Sequence, residues 1–230
     1  MNRFFTDLLE LFYPSTCIAC GHSIPPDQQD FCATCIFNIA YTNYDNCADN
    51  ELTRRLIAIR NLKFGVAPFY FSKESPIQKL LYKIKYKGRQ DLAHKAGQSL
   101  AKYLLKKFQD SELDAVTYVP LHVKKYNTRG YNQSEILASE IAQLFNLPLI
   151  QSLTRTRLTE TQTHFGRHQR LENQKDSLRC NDNINAFEHI LLVDDVLTTG
   201  ATLESCADAI RMIKPDITLS ICTLAIADDW

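Results

Sequence analysis

The chain has 230 residues, a formal net charge of zero and 45% hydrophobic residues, which allows one sizeable α/β core with a small accessory module. No apolar run approaches the roughly 18–20 residues that a membrane-spanning helix needs. Residues 1–14 (MNRFFTDLLELFYP) carry acidic side chains within their hydrophobic stretch and lack a small-residue cleavage site, which is typical of an amphipathic helix rather than a signal peptide. We therefore expect a cytoplasmic protein without a membrane span.

Two cysteine pairs follow this helix. Cys17 and Cys20 form one CxxC turn, and Cys32 and Cys35 form a second, with eleven residues between the two turns. Each turn directs two thiolates at one point, so two turns complete the tetrahedral set of four sulfur ligands that Zn²⁺ prefers, with iron–sulfur ligation as the alternative. Four protein ligands leave no open coordination position, so this zinc is expected to be structural.

The predicted elements divide the chain into an N-terminal helix and zinc-knuckle module, residues 1–50, and a main domain, residues 51–230. In the main domain strands alternate with helices, which implies a parallel, doubly wound sheet with ligands at the carboxyl ends of its strands. The polar stretch 154–182 shows almost no hydrophobic periodicity. Strands are predicted within 52–71 and at 115–119, 147–150, 190–193 and 217–226, and helices from about 75, at 91–108, at 132–145 and at 203–213.

Positive charge is concentrated in residues 79–107, whose net charge is +8, compared with −2 for residues 1–78 and −6 for residues 108–230. Two tyrosines, Tyr82 and Tyr86, alternate here with basic side chains. Cationic and aromatic side chains on one surface suit single-stranded nucleic acid, because phosphates pair with the cations and bases stack on the rings. Lysines spaced along a helix also form ordinary solvated faces, so both interpretations stay open. The candidate nucleic-acid contacts are Lys79, Lys83, Lys85, Lys87 and Arg89.

The stretch from Ile190 to Thr202 reads ILLVDDVLTTGAT and is the most informative in the chain. Its first four residues form an apolar run, as expected of a strand buried on both faces, and Asp194 and Asp195 follow. Small and hydroxylated residues then lead into a helical pattern. A strand, a small-residue turn and a helix N-terminus form an anion cradle, and carboxylates just upstream suit a diol and a divalent cation. Phosphoribosyl pyrophosphate (PRPP) has this shape; the alternative is an ordinary buried strand with a polar turn.

These residues resemble the PRPP-binding motif of the type I phosphoribosyltransferases. The resemblance implies a type I phosphoribosyltransferase-like doubly wound parallel sheet, to which the cysteine spacing adds an N-terminal four-cysteine zinc-finger module. It also implies that Asp194 and Asp195 contact the ribose hydroxyls and the Mg²⁺ that accompanies PRPP. The loop that would hold the 5′-phosphate comprises Val196, Leu197, Thr198, Thr199, Gly200, Ala201 and Thr202.

Three further segments resemble one subgroup, the ComF family: the double CxxC, VPLHVKKYNTRGYNQSEILA at 119–138, and LTRTRLTETQTHFGRHQRLENQ at 153–174. With the PRPP motif, the resemblance covers nearly the whole chain in the same order. The chain departs from the family pattern at two positions. Asn50 stands where many relatives complete a third CxxC begun by Cys47, and Arg89 follows Gly88 where relatives often have Asp.

The ComF resemblance implies a PRPP-binding protein that acts in DNA uptake and natural competence (natural transformation), with single-stranded DNA contact and a competence helicase-type partner. The alternative is a conventional phosphoribosyltransferase of nucleotide salvage, which transfers the pentosyl group to an acceptor base that the sequence does not identify. The fold class often forms homodimers. The resemblance also implies two groups of pyrophosphate-binding residues, each of which could instead be a solvated basic loop. They are a turn with His122 and Lys124, and a lid with Arg155, Arg157, Arg167 and Arg170.

Overall fold

The computed structural model describes residues 16–25, 31–108, 112–156 and 177–228. The predicted N-terminal amphipathic helix lies outside these described residues. Within them, no helix combines the length and the apolar character needed to cross a membrane.

Helices and strands alternate along most of the described chain. The strand predicted at 190–193 extends to Leu197, and residues 147–150 contribute a single parallel bridge, between Leu149 and Val116. The helices are α1 (Ala33–Phe37), α2 (Glu51–Arg55), α3 (Pro76–Tyr86), α4 (Gln90–Phe108), α5 (Val123–Arg129), α6 (Gln133–Phe145) and α7 (Ala201–Ile213), with a 3₁₀ helix at Asp182–Ala186. The strands are β1 (Leu62–Val66), β2 (Phe69–Phe71), β3 (Ala115–Tyr118), β4 (Leu153–Thr156), β5 (Ser177–Cys180), β6 (His189–Leu197) and β7 (Thr218–Ala227).

The central sheet is parallel throughout and has the order β1-β7-β6-β3. β1 pairs with residues 219–222 of β7 and β2 pairs with residues 225–227, so these two short strands lie end to end along one edge of β7. β6 pairs with the opposite edge of β7 from His189 to Leu197. The predicted parallel α/β sheet is therefore confirmed.

Apolar side chains cover both faces of this sheet. Leu191 and Val193 belong to one buried cluster with residues of α3, α4 and α6, whereas Ile190 and Leu192 belong to a second cluster with residues of α2 and α7. Because consecutive strand residues point to opposite faces, a strand covered on both sides requires a continuous apolar run. Helices thus pack on both faces, and the sheet is doubly wound.

Helix α3, which carries most of the candidate nucleic-acid contacts, begins where the sequence predicts. The hydroxyl of Ser75 accepts a hydrogen bond from the backbone N–H of Gln78 at 3.1 Å, and Pro76 occupies the first helical position. The helix ends at Tyr86, before Gly88, whose φ of +66° is unfavourable for residues with a side chain.

Strands β4 and β5 form an antiparallel pair outside the central sheet, with Leu153 opposite Cys180 and Thr156 opposite Ser177. The sequence pattern does not predict this pair, because each strand has four residues and only one leucine. Nor does it predict the short helices α2 and α5, since five and seven residues are too few to establish a helical period.

Candidate functional site

The four cysteines of the double CxxC lie together. All four sulfur atoms lie within 4.8 Å of one another, and Cys20 Sγ is 3.6 Å from Cys32 Sγ. A Zn–S distance of about 2.3 Å gives a tetrahedron whose sulfur–sulfur edge is about 3.8 Å, so the spacing fits a zinc ion. Among the described residues this is the only such cluster of metal-ligand side chains.

The backbone around the knuckle favours thiolate in at least one position. Burial opposes ionisation of Cys17, but hydrogen bonds from the backbone N–H groups of Cys20, Cys32 and Ala19 lower its pKa to about 6. Burial raises the pKa of Cys35. A cation at the centre of the cluster would stabilise all four thiolates, and this requirement supports a metal ion there.

Cys47 is half-buried and lies outside the cluster. Asn50, which stands where the family resemblance would place a cysteine, closes the turn by hydrogen bonds. Its side-chain amide donates to the carbonyls of Gly65 at 2.9 Å and Cys47 at 3.2 Å, and its Oδ1 accepts from Thr53 N at 3.1 Å. The turn at 47–50 is therefore tied to β1 without thiolate ligation.

The two acids of the PRPP-like motif lie inside β6 and not beyond it. Pairing with β7 continues through Asp194, opposite Thr223, to Leu197, opposite Ile226. Asp195 is 5% exposed. The pairing of β6 with β7 therefore holds the backbone of both aspartates at the C-terminal end of the parallel strands.

Each acid has a partner from another part of the chain. Ser134 Oγ donates to Asp194 Oδ1 at 2.8 Å, and the backbone N–H of Asp195 donates to the same oxygen at 2.9 Å. The ammonium of Lys85 lies 2.6 Å from Asp195 Oδ2. Burial and the charge of Asp195 raise the pKa of Asp194 to about 7, although its hydrogen bonds and Lys85 act in the opposite direction. The two carboxylates are thus accompanied by one half-buried cation, the ammonium of Lys85.

A tight turn joins these acids to α7. Thr198 and Thr199 are exposed, and Gly200 has a φ of +89°. The positive φ favours glycine here, and a Cβ at this position would also displace the Leu56 methyl group, 2.8 Å away. Helix α7 begins at Ala201, and the first N–H groups of a helix have no intrahelical acceptor. The exposed hydroxyls of Thr198 and Thr199 and the N-terminus of the 13-residue helix α7 therefore lie beside the acids.

The candidate pyrophosphate turn lies at the same end of the sheet. The backbone N–H of Val119, just after β3, donates to the carbonyl of Val193 at 3.0 Å, next to the acid pair. His122 then caps α5, with its Nδ1 accepting from the N–H of Lys124 at 3.0 Å. Lys124 itself is exposed.

The segment at 129–134 connects these parts, and in the sequence only the family resemblance draws attention to it. Asn132 donates from Nδ2 to Val119 O at 2.9 Å, and Ser134 donates to Asp194. Arg129 Nε donates to the carbonyl of Lys85 at 2.9 Å. Asn132 and Ser134 are both buried, although they belong to a polar run at the start of a helix. That polar run is the one feature of the sequence that could have indicated their role in the site.

The five candidate nucleic-acid residues divide into two groups. Lys85 is directed at Asp195, whereas Lys79, Lys87 and Arg89 are exposed and Lys83 is half-buried. Tyr82 and Tyr86 are 51% and 68% exposed, with ring centroids 5.2 Å apart, and the Lys87 ammonium lies 5.8 Å from the Tyr82 centroid. Arg89 forms an ion pair with Asp91.

Of the candidate lid residues, Arg155 lies on β4 and is half-buried; Arg157, Arg167 and Arg170 lie outside the described residues. Burial raises the pKa of Cys206 on α7, Asp194 raises it further, and Arg155 opposes the shift. Arg155 and Asp194 are thus both within electrostatic range of this thiol.

Comparison with known proteins shows which family the chain is similar to. The family described as "Phosphoribosyl transferase domain" matches residues 94–229, more than half of the chain. DNA utilization protein YhgH of Salmonella typhimurium (strain LT2) is 30% identical over 136 residues, which cover 57% of this chain and 60% of that protein. Competence protein F of Haemophilus influenzae is 31% identical over 103 residues, covering 44% of this chain and 45% of that protein.

The chain therefore spans about 60% of the length of the YhgH proteins that it matches. Among solved structures, glutamine phosphoribosylpyrophosphate amidotransferase from B. subtilis, complexed with ADP and GMP, superposes with a TM-score of 0.40 at 20% identity. The superposition covers 62% of this chain and 30% of that one. The family match and the named relatives lead to one conclusion: the chain belongs to the phosphoribosyltransferase domain family and is a ComF-family phosphoribosyltransferase-like protein.

Proposed function

We propose that the chain binds PRPP together with Mg²⁺ where β6 meets α7. The observation that carries this proposal is an acid pair, half-buried Asp194 and buried Asp195, followed directly by a turn with two exposed threonines at a helix N-terminus. Carboxylate oxygens are the ligands that Mg²⁺ and vicinal hydroxyls prefer, and the helix end suits a phosphate.

In this proposal the residues position the ligand and neutralise its charge. Asp194 and Asp195 accept hydrogen bonds from the ribose diol, and the turn at 196–202 holds the 5′-phosphate. His122 and Lys124 face the diphosphate end. Bound Mg²⁺ would offset the charge that develops on the diphosphate as the bond to ribose C1 weakens. Such a site supports pentosyl transfer to an acceptor that can approach C1.

Calorimetry with PRPP tests this proposal. The natural chain should bind PRPP in Mg²⁺ and lose most of that affinity in EDTA. Gly200→Ala should lower the affinity by about 5- to 30-fold, because an alanine at the φ of +89° strains the turn by about 1–2 kcal/mol. Gly21→Ala is the matched control, since its φ of +80° imposes similar strain in the knuckle with no atom within 4 Å. Equal PRPP affinity in all three proteins would refute the site.

A second proposed function is single-stranded DNA binding by α3. The exposed pair Tyr82 and Tyr86, flanked by Lys79 and Lys87, supports it, because rings can stack with bases while ammonium groups pair with phosphates. The names of the relatives, DNA utilization protein YhgH and Competence protein F, support a role in DNA uptake or use. The alternative to a role in DNA uptake is a phosphoribosyltransferase of nucleotide salvage. Such an enzyme would release pyrophosphate from PRPP only when a free nucleobase is present.

Binding to labelled oligo(dT) at several salt concentrations tests the α3 surface. Lys79→Glu/Lys87→Glu should weaken binding and make the slope of log K against log salt shallower by about 0.7 for each phosphate that the variant no longer neutralises. Lys102→Glu/Lys106→Glu on α4 makes the same change in net charge and should have little effect. Equal weakening by both pairs would indicate a response to net charge and would contradict a specific α3 surface.

A further inference from the structure

Lys85 has an ion-pair partner that the proposed mode of PRPP binding does not account for. Its ammonium lies 2.6 Å from Asp195 Oδ2, with 24% of the Lys85 side chain and 7% of the Asp195 side chain exposed. Lys85 precedes the first matched residue of the phosphoribosyltransferase domain, residue 94, by nine positions. A segment outside the matched residues thus supplies a cation to the acid pair.

The backbone of Lys85 is anchored to the segment that follows the candidate pyrophosphate turn. Arg129 Nε donates to the Lys85 carbonyl at 2.9 Å, and the Tyr131 hydroxyl donates to the carbonyl of Ile84. Arg129 ends α5, the helix that His122 caps at its other end. The Cα of Lys85 is therefore fixed near both the acids and this turn, while its four-carbon side chain stays rotatable.

The ion pair and the proposed ligand compete for the same oxygen. The ribose diol needs carboxylate oxygens as acceptors, but Lys85 occupies Asp195 Oδ2. In PRPP the diphosphate is attached at C1, next to the C2 hydroxyl of that diol. A diphosphate carries more negative charge than a carboxylate and would attract an ammonium that can reach both.

We propose that Lys85 couples the two ends of the ligand. Its ammonium pairs with Asp195 before PRPP binds and transfers to the diphosphate when PRPP arrives, which releases Asp195 for the ribose diol. This inference rests on the proposed PRPP function. It makes Lys85 a residue that discriminates PRPP from sugar phosphates that lack the diphosphate.

Binding of PRPP and of ribose 5-phosphate, measured by calorimetry in Mg²⁺, tests the coupling. Lys85→Met should lower PRPP affinity by about 10- to 100-fold, the usual effect of losing a hydrogen bond to a charged group. Affinity for ribose 5-phosphate should stay the same or rise, because the diol no longer displaces an ammonium. Lys85→Arg keeps the charge and should retain most PRPP affinity. Lys102→Met, an exposed position on α4, is the control for net charge.

The two ligands separate the possible failures. If Lys85→Met weakens both ligands equally, Lys85 only holds the acid pair in place and the coupling is wrong. No change for either ligand also overturns it. A natural chain that binds neither ligand contradicts the proposed PRPP function itself. If Lys85→Met does not fold, Lys85→Gln, which also lacks the charge, is held to the same expectations.

Discussion

Asp194→Asn is expected to bind PRPP about 10- to 150-fold more weakly than the natural chain, since a hydrogen bond to a charged group contributes about 1.5–3 kcal/mol. The substitution preserves the local geometry, because both hydrogen bonds to Asp194 end on Oδ1, and the amide oxygen of asparagine can accept them. The lower affinity therefore reports the charge. Asp216→Asn, exposed between α7 and β7, is the control.

The same variant should be more stable than the natural chain when no ligand is present. The pKa of Asp194 is raised from 3.8 to about 7, so between these values the folded state holds a proton that the unfolded state has released. The free energy of unfolding contributed by Asp194 then falls as pH rises from 4 to 7. Asp194→Asn removes this pH-dependent loss of stability. The excess of its free energy of unfolding over that of the natural chain should therefore be largest above pH 7.

Urea unfolding of both proteins from pH 4 to 8 measures this difference. The two proteins must be compared with each other, because His189 also makes the free energy of unfolding depend on pH, with the opposite sign. Burial lowers the pKa of His189, so its protonation at low pH favours unfolding. His189 is present in both chains and cancels. A stability difference that does not change with pH would contradict the raised pKa of Asp194.

Zinc removal is expected to unfold the knuckle and leave the central sheet folded. The buried cluster within the knuckle consists of Cys17, Ala19, Ile24 and Cys35, so half of it is made of proposed ligands. Structural zinc contributes about 10–16 kcal/mol in small zinc-finger peptides, far more than this cluster can supply. After chelation the four thiols should react rapidly with a thiol reagent, while the cooperative urea transition of the sheet persists.

Two substitutions sharpen the zinc experiment. Cys32→Ser should lose the metal, whereas Cys47→Ser should retain one zinc per chain, because the Cys47 turn is closed by Asn50. Metal content measured by atomic emission checks both and distinguishes zinc from iron. Loss of the metal in Cys47→Ser would contradict the four-ligand site, and a chelator that unfolds the whole chain would contradict an independent knuckle.

The elements that can be predicted from the sequence are those whose burial follows from local pattern. Residues 190–193 are apolar because both faces of β6 are covered, and the four cysteines meet because CxxC turns have few geometries. The full length of β6 is not predicted, because a carboxylate within a parallel strand contradicts the usual pattern. It is tolerated here because Lys85 and Ser134 supply partners for the acids.

The ion pair between Lys85 and Asp195 cannot be predicted from local pattern, because it joins residues 110 positions apart. Periodicity shows that the α3 lysines lie away from the core but not which of them meets another element. The sequence predicts Lys85, like its basic neighbours, to be a nucleic-acid contact, whereas the structure pairs it with Asp195. For Lys79, Lys83, Lys87 and Arg89 nucleic-acid contact stays a prediction. The hydrogen bond from Ser134 to Asp194 cannot be predicted for the same reason.

Strands β1 and β2 precede the matched residues 94–229, yet they cover one edge of β7, a strand buried along nearly its whole length. A fragment beginning at residue 94 would keep β7 and lose both covering strands. The unpaired N–H and C=O groups of an apolar edge would then recruit other copies of the chain, so we expect such a fragment to aggregate. A truncated protein intended for crystallisation or expression should therefore start before Leu62 rather than at the boundary that homology suggests.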